Sequence, residues 1–474
     1  MKITVFFCAF FILLAGSLYT QEAALRLVKG QLNDSVYLLP EKDPVRIFLP
    51  DQYSDQEQWP LIVYYDFDPY ALERIDSWKE VLNRQGFILL HLKAVTDSIQ
   101  LINAVQSTTE VLTEMNKVFP LQPGLVYTLG TERSSRMASL NAILIEGIKG
   151  TIALGGQINW LDNPSQLRNK HFVGAVGTYD FAYRSMGEDW NRLSDFDFTR
   201  AHLNVVEGHI RDSSLSLLDR CLVMLRLNGM NGGTMKRDST LFKEFGKQSG
   251  RRFDHWIDSG RLLLARNEWN LQQTLLGMHP GARWRKTLKD LGLAAEFREY
   301  VRKSQNQFYQ EEVLWARYWS YLLDDLNYMQ LDNLGWWNYQ IAELNKESTR
   351  AKSEFERASA ERSLSYLSAM VDDQRILLKD QGSDIDPLEK AEYERYLFML
   401  KTLLHPGQYD PYLEVISRSA QIEDFGTALY YLDLLFQQGF QDKERLYSLE
   451  HTALFRLIPE FNELVEKYLK ESRY

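Results

Sequence analysis

The sequence predicts an α/β domain built on a mostly parallel sheet, followed by an all-α domain. Three observations carry this. Between about residues 27 and 230, short β-rich runs alternate with stretches of helical period, the pattern of a sheet whose crossovers are helices. Most of those runs are near-continuously apolar, as strands covered on both faces are. After about residue 235 the strands stop, and helical patterns continue to the end.

The elements follow in order. Lys2 precedes an apolar run, Ile3 to Leu14, and then Ala15, Gly16 and Ser17. A basic start, a short apolar stretch and small residues read as an export signal over 1–20. Cleavage falls after Ser17 or before Gln21. The alternative, an uncleaved anchor, needs a longer run. Strands are expected at Val45–Leu49, Leu61–Tyr65, Phe87–Leu92, Leu125–Leu129, Thr151–Leu154, Phe172–Gly177 and His202–Val206. Helices are expected at Leu72–Asn83, Ile99–Val118, Ser135–Ile145 and Leu215–Leu227. The run Asn-Gly-Met-Asn-Gly-Gly within 228–239 then interrupts the periodicity. It divides the chain into 21–234 and 235–474. In the second half Phe308, Trp315, Trp319 and Leu322 share one helical face, and so do Leu364, Leu367, Met370 and Val371. Seven of the eleven tryptophans lie there, which at helical spacing reads as core before it reads as a binding groove.

Composition narrows the partners. A length of 474 exceeds one average core. The net charge of −10 argues against a nucleic acid held on a basic surface. Of two cysteines, Cys8 leaves with the leader, so the exported chain keeps Cys221 and forms no internal disulfide. No later stretch reaches membrane length. The expected location is the periplasm or the medium, without a stable membrane span.

The chemistry is expected in the first half. Strand Leu125–Leu129 runs into Gly130-Thr131-Glu132-Arg133-Ser134, and a helix begins near Ser135. A strand, a sharp turn and a helix form the setting of a nucleophile elbow. Such a turn needs small residues two before and two after its strained apex. Gly130 and Ser134 are small, and the apex is Glu132. Here the sequence resembles the α/β-hydrolase superfamily, most of all exported bacterial esterases and polyester depolymerases. That family reads Gly-x-Ser-x-Gly, whereas this chain places a glutamate where the serine belongs. The resemblance implies an acid at Asp180, after strand Phe172–Gly177, and a histidine at His209, after Val205-Val206-Glu207-Gly208. The order Glu132, Asp180, His209 is the family order. The implied oxyanion region comprises Asp66, Phe67 and Arg133. In that region Asp66-Phe67-Asp68-Pro69 departs again, because proline has no N–H and carboxylates oppose a developing negative charge.

Two abnormal positions favour loss of serine-hydrolase chemistry. The expected function is an exported, catalytically impaired or non-catalytic hydrolase homologue that binds a small molecule or a protein. Glu132 and Asp180 would flank His209 and hold it protonated. The alternative is an active carboxylic-ester hydrolase using Glu132, Ser134 or Ser135 with His209 and Asp180. Asp180 and His209 can also be loop residues with no shared role. No metal site is expected, since the eight histidines form no ligand-spaced pair and one cysteine remains. No cofactor is expected, since Gly155-Gly156 lacks the rest of a phosphate loop. The last 55 residues or so, about 420–474, resemble the closing helical pair of tetratricopeptide-repeat proteins, with Ala428, Leu432 and Leu435 on one stripe and Gly439 as the stop. That resemblance implies a protein partner for the helical domain.

Overall fold

A computed structural model describes residues 27–470 apart from 40, 42, 67–70, 94–97, 160–163, 197–199, 278–280, 331–332, 352 and 381–384. The expected leader, with Cys8, and Phe67, Asp68 and Pro69 lie outside the described residues.

Eight strands form one sheet: β1 (Leu32–Val36), β2 (Val45–Phe48), β3 (Trp59–Asp66), β4 (Ile88–Lys93), β5 (Leu121–Thr131), β6 (Gly150–Leu154), β7 (His171–Gly177) and β8 (Arg200–Val206). Their order across the sheet is β1-β2-β4-β3-β5-β6-β7-β8. β1 and β2 are antiparallel, and every pairing from β4 to β8 is parallel. The helices of this half are α1 (Ala71–Gln85), α2 (Ser98–Val118), α3 (Ser134–Leu144), α4 (Tyr183–Ser194) and α5 (Ser214–Asn231). β3, β6 and β7 are buried along their whole length, which explains their uninterrupted apolar sequences. This is the α/β-hydrolase-like sheet that the sequence predicts. All parallel strands end on one rim, and the loops after β5, β7 and β8 meet there.

Two elements escaped the pattern. β1, Leu-Asn-Asp-Ser-Val, is a polar edge strand paired on one side. Helix α4 carries Gly187 and four charged residues in twelve, and shows its apolar side only through Met186, Trp190 and Leu193.

The helical region continues with α6 (Ser239–Asp258), α7 (Leu262–Leu276), α8 (Gly281–Asp290), α9 (Ala294–Tyr328), α10 (Leu334–Arg350), α11 (Glu354–Asp380), α12 (Pro387–Leu404), α13 (Tyr409–Gln421), α14 (Phe425–Gln437), α15 (Lys443–Tyr447) and α16 (Pro459–Leu469). Its first helices complete the core of the sheet. Phe245, Leu271 and Leu275 join the cluster around Ile62, Tyr64 and Leu222, while Phe253, Trp256, Trp269 and Trp284 pack with Phe172, Val176 and Trp190. Trp337 is also buried. Trp319 is not; it is exposed because α9 turns Tyr318, Leu322 and Leu326 inward instead. Leu367, Met370 and Val371 line the core shared by α9 to α12.

The chain end shows why α14 stops. Ala428, Leu432 and Leu435 are fully buried. Gly439 takes φ 89°, its N–H reaches Phe436 O at 2.9 Å, and Phe440 N–H reaches Leu435 O at 3.4 Å. A glycine in the left-handed region thus satisfies the last carbonyls. The final helix begins at Pro459, which lacks an N–H and is suited to a first helical turn. Among the described residues no helix is long and apolar enough to cross a membrane.

Candidate functional site

The turn after β5 is a strained elbow. Glu132 at its apex has φ 48°, the left-handed region that costs a side chain about 1–2 kcal/mol. Its N–H donates to Leu154 O at 2.7 Å, and its carbonyl accepts from Ser135 N at 3.1 Å. The neighbours leave no slack. A Cβ on Gly130 would lie 2.5 Å from Ser134 O, and one on Gly156 would lie 1.7 Å from Glu132 O. The Glu132 side chain is exposed to solvent, yet protein surrounds it. That enclosure raises its carboxyl pKa; Arg74 opposes the rise, and Asp372, Asp180 and Asp66 add to it.

Asp180 and His209 are brought together by the loops after β7 and β8. Gly208 sits at φ 87°, and a Cβ on Gly177 would lie 2.1 Å from Gly208 O, so both loops need glycine to approach. Asp180 Oδ2 accepts from Gly177 N at 2.7 Å and Ile210 N at 3.0 Å. Its Oδ1 lies 3.1 Å from His209 Nδ1. The Tyr179 ring stands edge-on to the imidazole, with centroids 5.7 Å apart.

His209 Nε2 does not meet the elbow. It lies 3.3 Å from Glu361 Oε2, on α11. The histidine is therefore flanked by Asp180 and Glu361, and among the described residues no hydrogen bond joins it to Glu132. These two hydrogen bonds, Asp180 first, raise the His209 pKa to about 9 against the opposing effect of burial. The ring is an imidazolium at neutral pH, donating both N–H groups. The same contact lowers the Glu361 carboxyl.

The two serines are turned inward. Ser134 Oγ accepts from Thr131 N at 2.8 Å and donates within reach of Tyr65 O at 2.7 Å. Ser135 Oγ donates to Gly130 O at 3.0 Å. Both are fully buried. Their hydroxyls hold the elbow's backbone and are not presented to His209.

Asp66 ends β3 with its side chain buried and its carboxylate bound. Arg74 Nη1 reaches it at 2.5 Å, Tyr64 Oη donates to it, and Thr131 Oγ1 lies 3.3 Å away. Its charge is neutralised by Arg74, so the expectation that it opposes an oxyanion applies to it only weakly. Phe67, the other expected member, lies outside the described residues. Arg133 points its guanidinium away from the elbow and pairs with Asp373 of α11 at 2.9 Å.

Helix α11 thus lies across the rim where the parallel strands end. Besides Glu361 and Asp373, Arg362 Nη1 donates to Thr178 O at 2.8 Å, and Ser365 Oγ accepts from Phe181 N at 3.3 Å. At 3.6 residues per turn these four positions fall within about 120° of the helix. Arg362 is itself held by a buried pair with Glu311 of α9, at 2.9 and 2.5 Å. Sequence reasoning missed Glu361. It stands 152 residues from His209 in an ordinary Ala-Glu-Arg-Ser stretch, and no local signal marks it. Among the described residues no group of three or more histidine, cysteine, aspartate or glutamate side chains is placed to hold a metal.

No protein-family model matches the sequence, and no curated protein matches it. Solved structures with some likeness include Est1E from Butyrivibrio proteoclasticus, at 13% identity and TM-score 0.32, covering 42% of this chain and all of that one. A thermophilic esterase, Est2, from Thermogutta terrifontis shows 10% identity and TM-score 0.34 over 44% of this chain and 94% of its own. An uncharacterised protein from Capnocytophaga ochracea, at 10% identity and TM-score 0.34, spans 92% of this chain and 99% of its own. At such values these likenesses decide nothing about chemistry. The strand order and the loops carry the fold on their own: an α/β-hydrolase-like sheet with a helical region folded across the rim where its parallel strands end.

Proposed function

We propose that this chain is an exported α/β-hydrolase-like protein that has lost serine-hydrolase chemistry and serves as a binding protein. The observation that carries the reading is His209 held between Asp180 and Glu361. A general base needs a free nitrogen and a pKa near the working pH. His209 has neither, since Nε2 faces Glu361 and its pKa lies near 9. Glu132 at the apex adds a second loss, because a serine nucleophile is absent from the elbow. In this reading Asp180, His209 and Glu361 form a fixed charge cluster that docks the helical region. The enclosed, accessible Glu132 is then left for a ligand or a protein partner to meet. The leader over 1–20, the division into 21–234 and 235–474 and a repeat-like end over about 420–474 belong to the same proposal.

A fluorophosphonate probe on the mature protein tests it. The expected result is no labelling of the parent. Labelling that disappears in Ser134→Ala or Ser135→Ala would sink the reading. A second reading, an active carboxylic-ester hydrolase, is favoured by one observation: Glu132 keeps the strained, accessible apex of a nucleophile elbow. It requires ester turnover that both Glu132→Gln and His209→Gln abolish, with a covalent acyl mass on Glu132 in the trapped parent.

A further inference from the structure

A cavity of about 590 Å³ opens at the opposite rim, where β8 begins. Seven residues of β8 separate it from the loop of His209, about 20 Å at 3.3 Å per residue. Its volume lies in the range of small-molecule sites. Arg200, His202, Asn228 and Arg237 line its polar side, Phe242 and Leu276 its apolar side, and among the described residues no carboxylate lines it.

The polar side is built to donate. Asn228 is 1% exposed, and its Oδ1 lies 2.9 Å from His202 Nε2. The amide nitrogen of the same side chain is buried without an acceptor. An orphaned buried donor is costly and calls for an acceptor. Arg200 donates from Nη1 to Asn228 O, and the space for its guanidinium depends on Gly232, where a Cβ would lie 2.8 Å from Nη1. Among the described residues Arg200 meets no carboxylate. Arg237 lies over the Phe242 ring, 4.8 Å from its centroid. The rim beside the cavity is cationic although the chain is acidic. Burial first and then Lys149 push Lys170 down to about 8, and Arg200 adds to the downward shift of His171 and His202.

We propose that this cavity binds a small organic anion. Arg200 and the Asn228 amide would hold its carboxylate or phosphate, Arg237 would close over it, and its apolar body would lie against Phe242 and Leu276. A positively charged recess with an unmet buried donor selects an acceptor-bearing anion over a neutral isostere, since the neutral compound leaves the guanidinium charges uncompensated.

Titration calorimetry on the full mature chain tests this with benzoate, phenyl phosphate and the neutral benzyl alcohol. At least one anion is expected to bind saturably at millimolar concentration, and benzyl alcohol about tenfold more weakly or not at all. The benzoate and phenyl phosphate arms tell a carboxylate ligand from a phosphate one. Arg200→Gln is expected to weaken the anion about tenfold and Arg237→Gln about threefold, while Glu132→Gln leaves it unchanged. Arg237 is exposed, so its variant folds and decides the matter if Arg200→Gln does not. Absence of saturable binding by both anions, binding unchanged in Arg237→Gln, or binding lost in Glu132→Gln would each overturn the proposal.

Discussion

Replacing Glu361 with glutamine probes the contact on which the functional reading turns. The folded His209 titrates near 9 against an ordinary 6.5, a difference of roughly 3 kcal/mol between its two protonation states. Asp180 contributes the larger share and Glu361 the next. Both partners of the second contact keep less than a third of their side-chain surface exposed, so solvent screens it only in part. Glutamine keeps the shape and removes the charge, and the His209 pKa is expected to fall by about one unit, or about 1.4 kcal/mol. The sign follows from a raised folded pKa. The stabilisation is complete below about 6.5, fades as pH rises through 9, and is lost at the acid end once Glu361 takes a proton. The variant should therefore trail the parent most near pH 6 and least near pH 10. Imidazole nitrogen shifts measured by NMR across that range give the pKa, and urea midpoints at the two ends give the stability gap. A parent His209 that titrates near 6.5, or a variant whose value matches the parent's, would refute the reasoning.

Other perturbations follow from the same geometry. Glu132→Ser alone should leave a fluorophosphonate probe unreacted, because His209 remains charged and held; Glu132→Ser combined with Glu361→Ala should gain labelling, read by intact-protein mass. Glu132→Gly removes a side chain from the left-handed region and should raise the melting temperature, by about 1 kcal/mol of stability. Gly130→Ala places a Cβ 2.5 Å from the backbone of Ser134 and Ser135 and should destabilise by about 1–3 kcal/mol, seen in urea unfolding. Arg362→Met leaves the nearly buried Glu311 carboxylate unpaired and should destabilise by about 3–5 kcal/mol, with faster hydrogen exchange in α11.

The sheet was legible because each parallel strand is buried on both faces and so writes an unbroken apolar run, as Leu61–Tyr65 and Phe172–Gly177 do. β1 was not, because an edge strand needs only one covered side. The elbow was legible from Gly130 and Ser134: a Cβ at Gly130 has no room, and the Ser134 hydroxyl is small enough to be buried against the turn's own backbone. The Asp180–His209 contact was anticipated only through the family resemblance, which supplies the order of the loops. Glu361 was not, because its role depends on how α11 lies over the sheet, and no period or spacing within Glu354–Asp380 encodes that placement. The identity of the second carboxylate on His209 therefore had to be read from tertiary structure. Glu132 occupies the apex, and among the described residues no hydrogen bond joins it to the histidine.

With a glutamate at position 132, Asp180 and His209 still hold structural roles. Asp180 Oδ2 joins the loops after β7 and β8 by accepting from Gly177 and Ile210, whatever His209 does. Its other oxygen holds the imidazole, and an imidazolium between two carboxylates is a better tie than a neutral ring, since each contact is then charge-assisted. Placing Glu361 at Nε2 uses the side of the ring that a nucleophile would have used. Catalysis and docking of the helical region thus compete for one nitrogen. A serine at position 132 would need Nε2 free and neutral, which would surrender a contact between the sheet and α11. The remaining ties of α11, from Arg362 to Thr178 O and from Asp373 to Arg133, would still hold the helix over the rim. With α11 seated, a serine at position 132 alone therefore leaves His209 Nε2 held by Glu361, and the helical region constrains the site as much as the residue at the apex does.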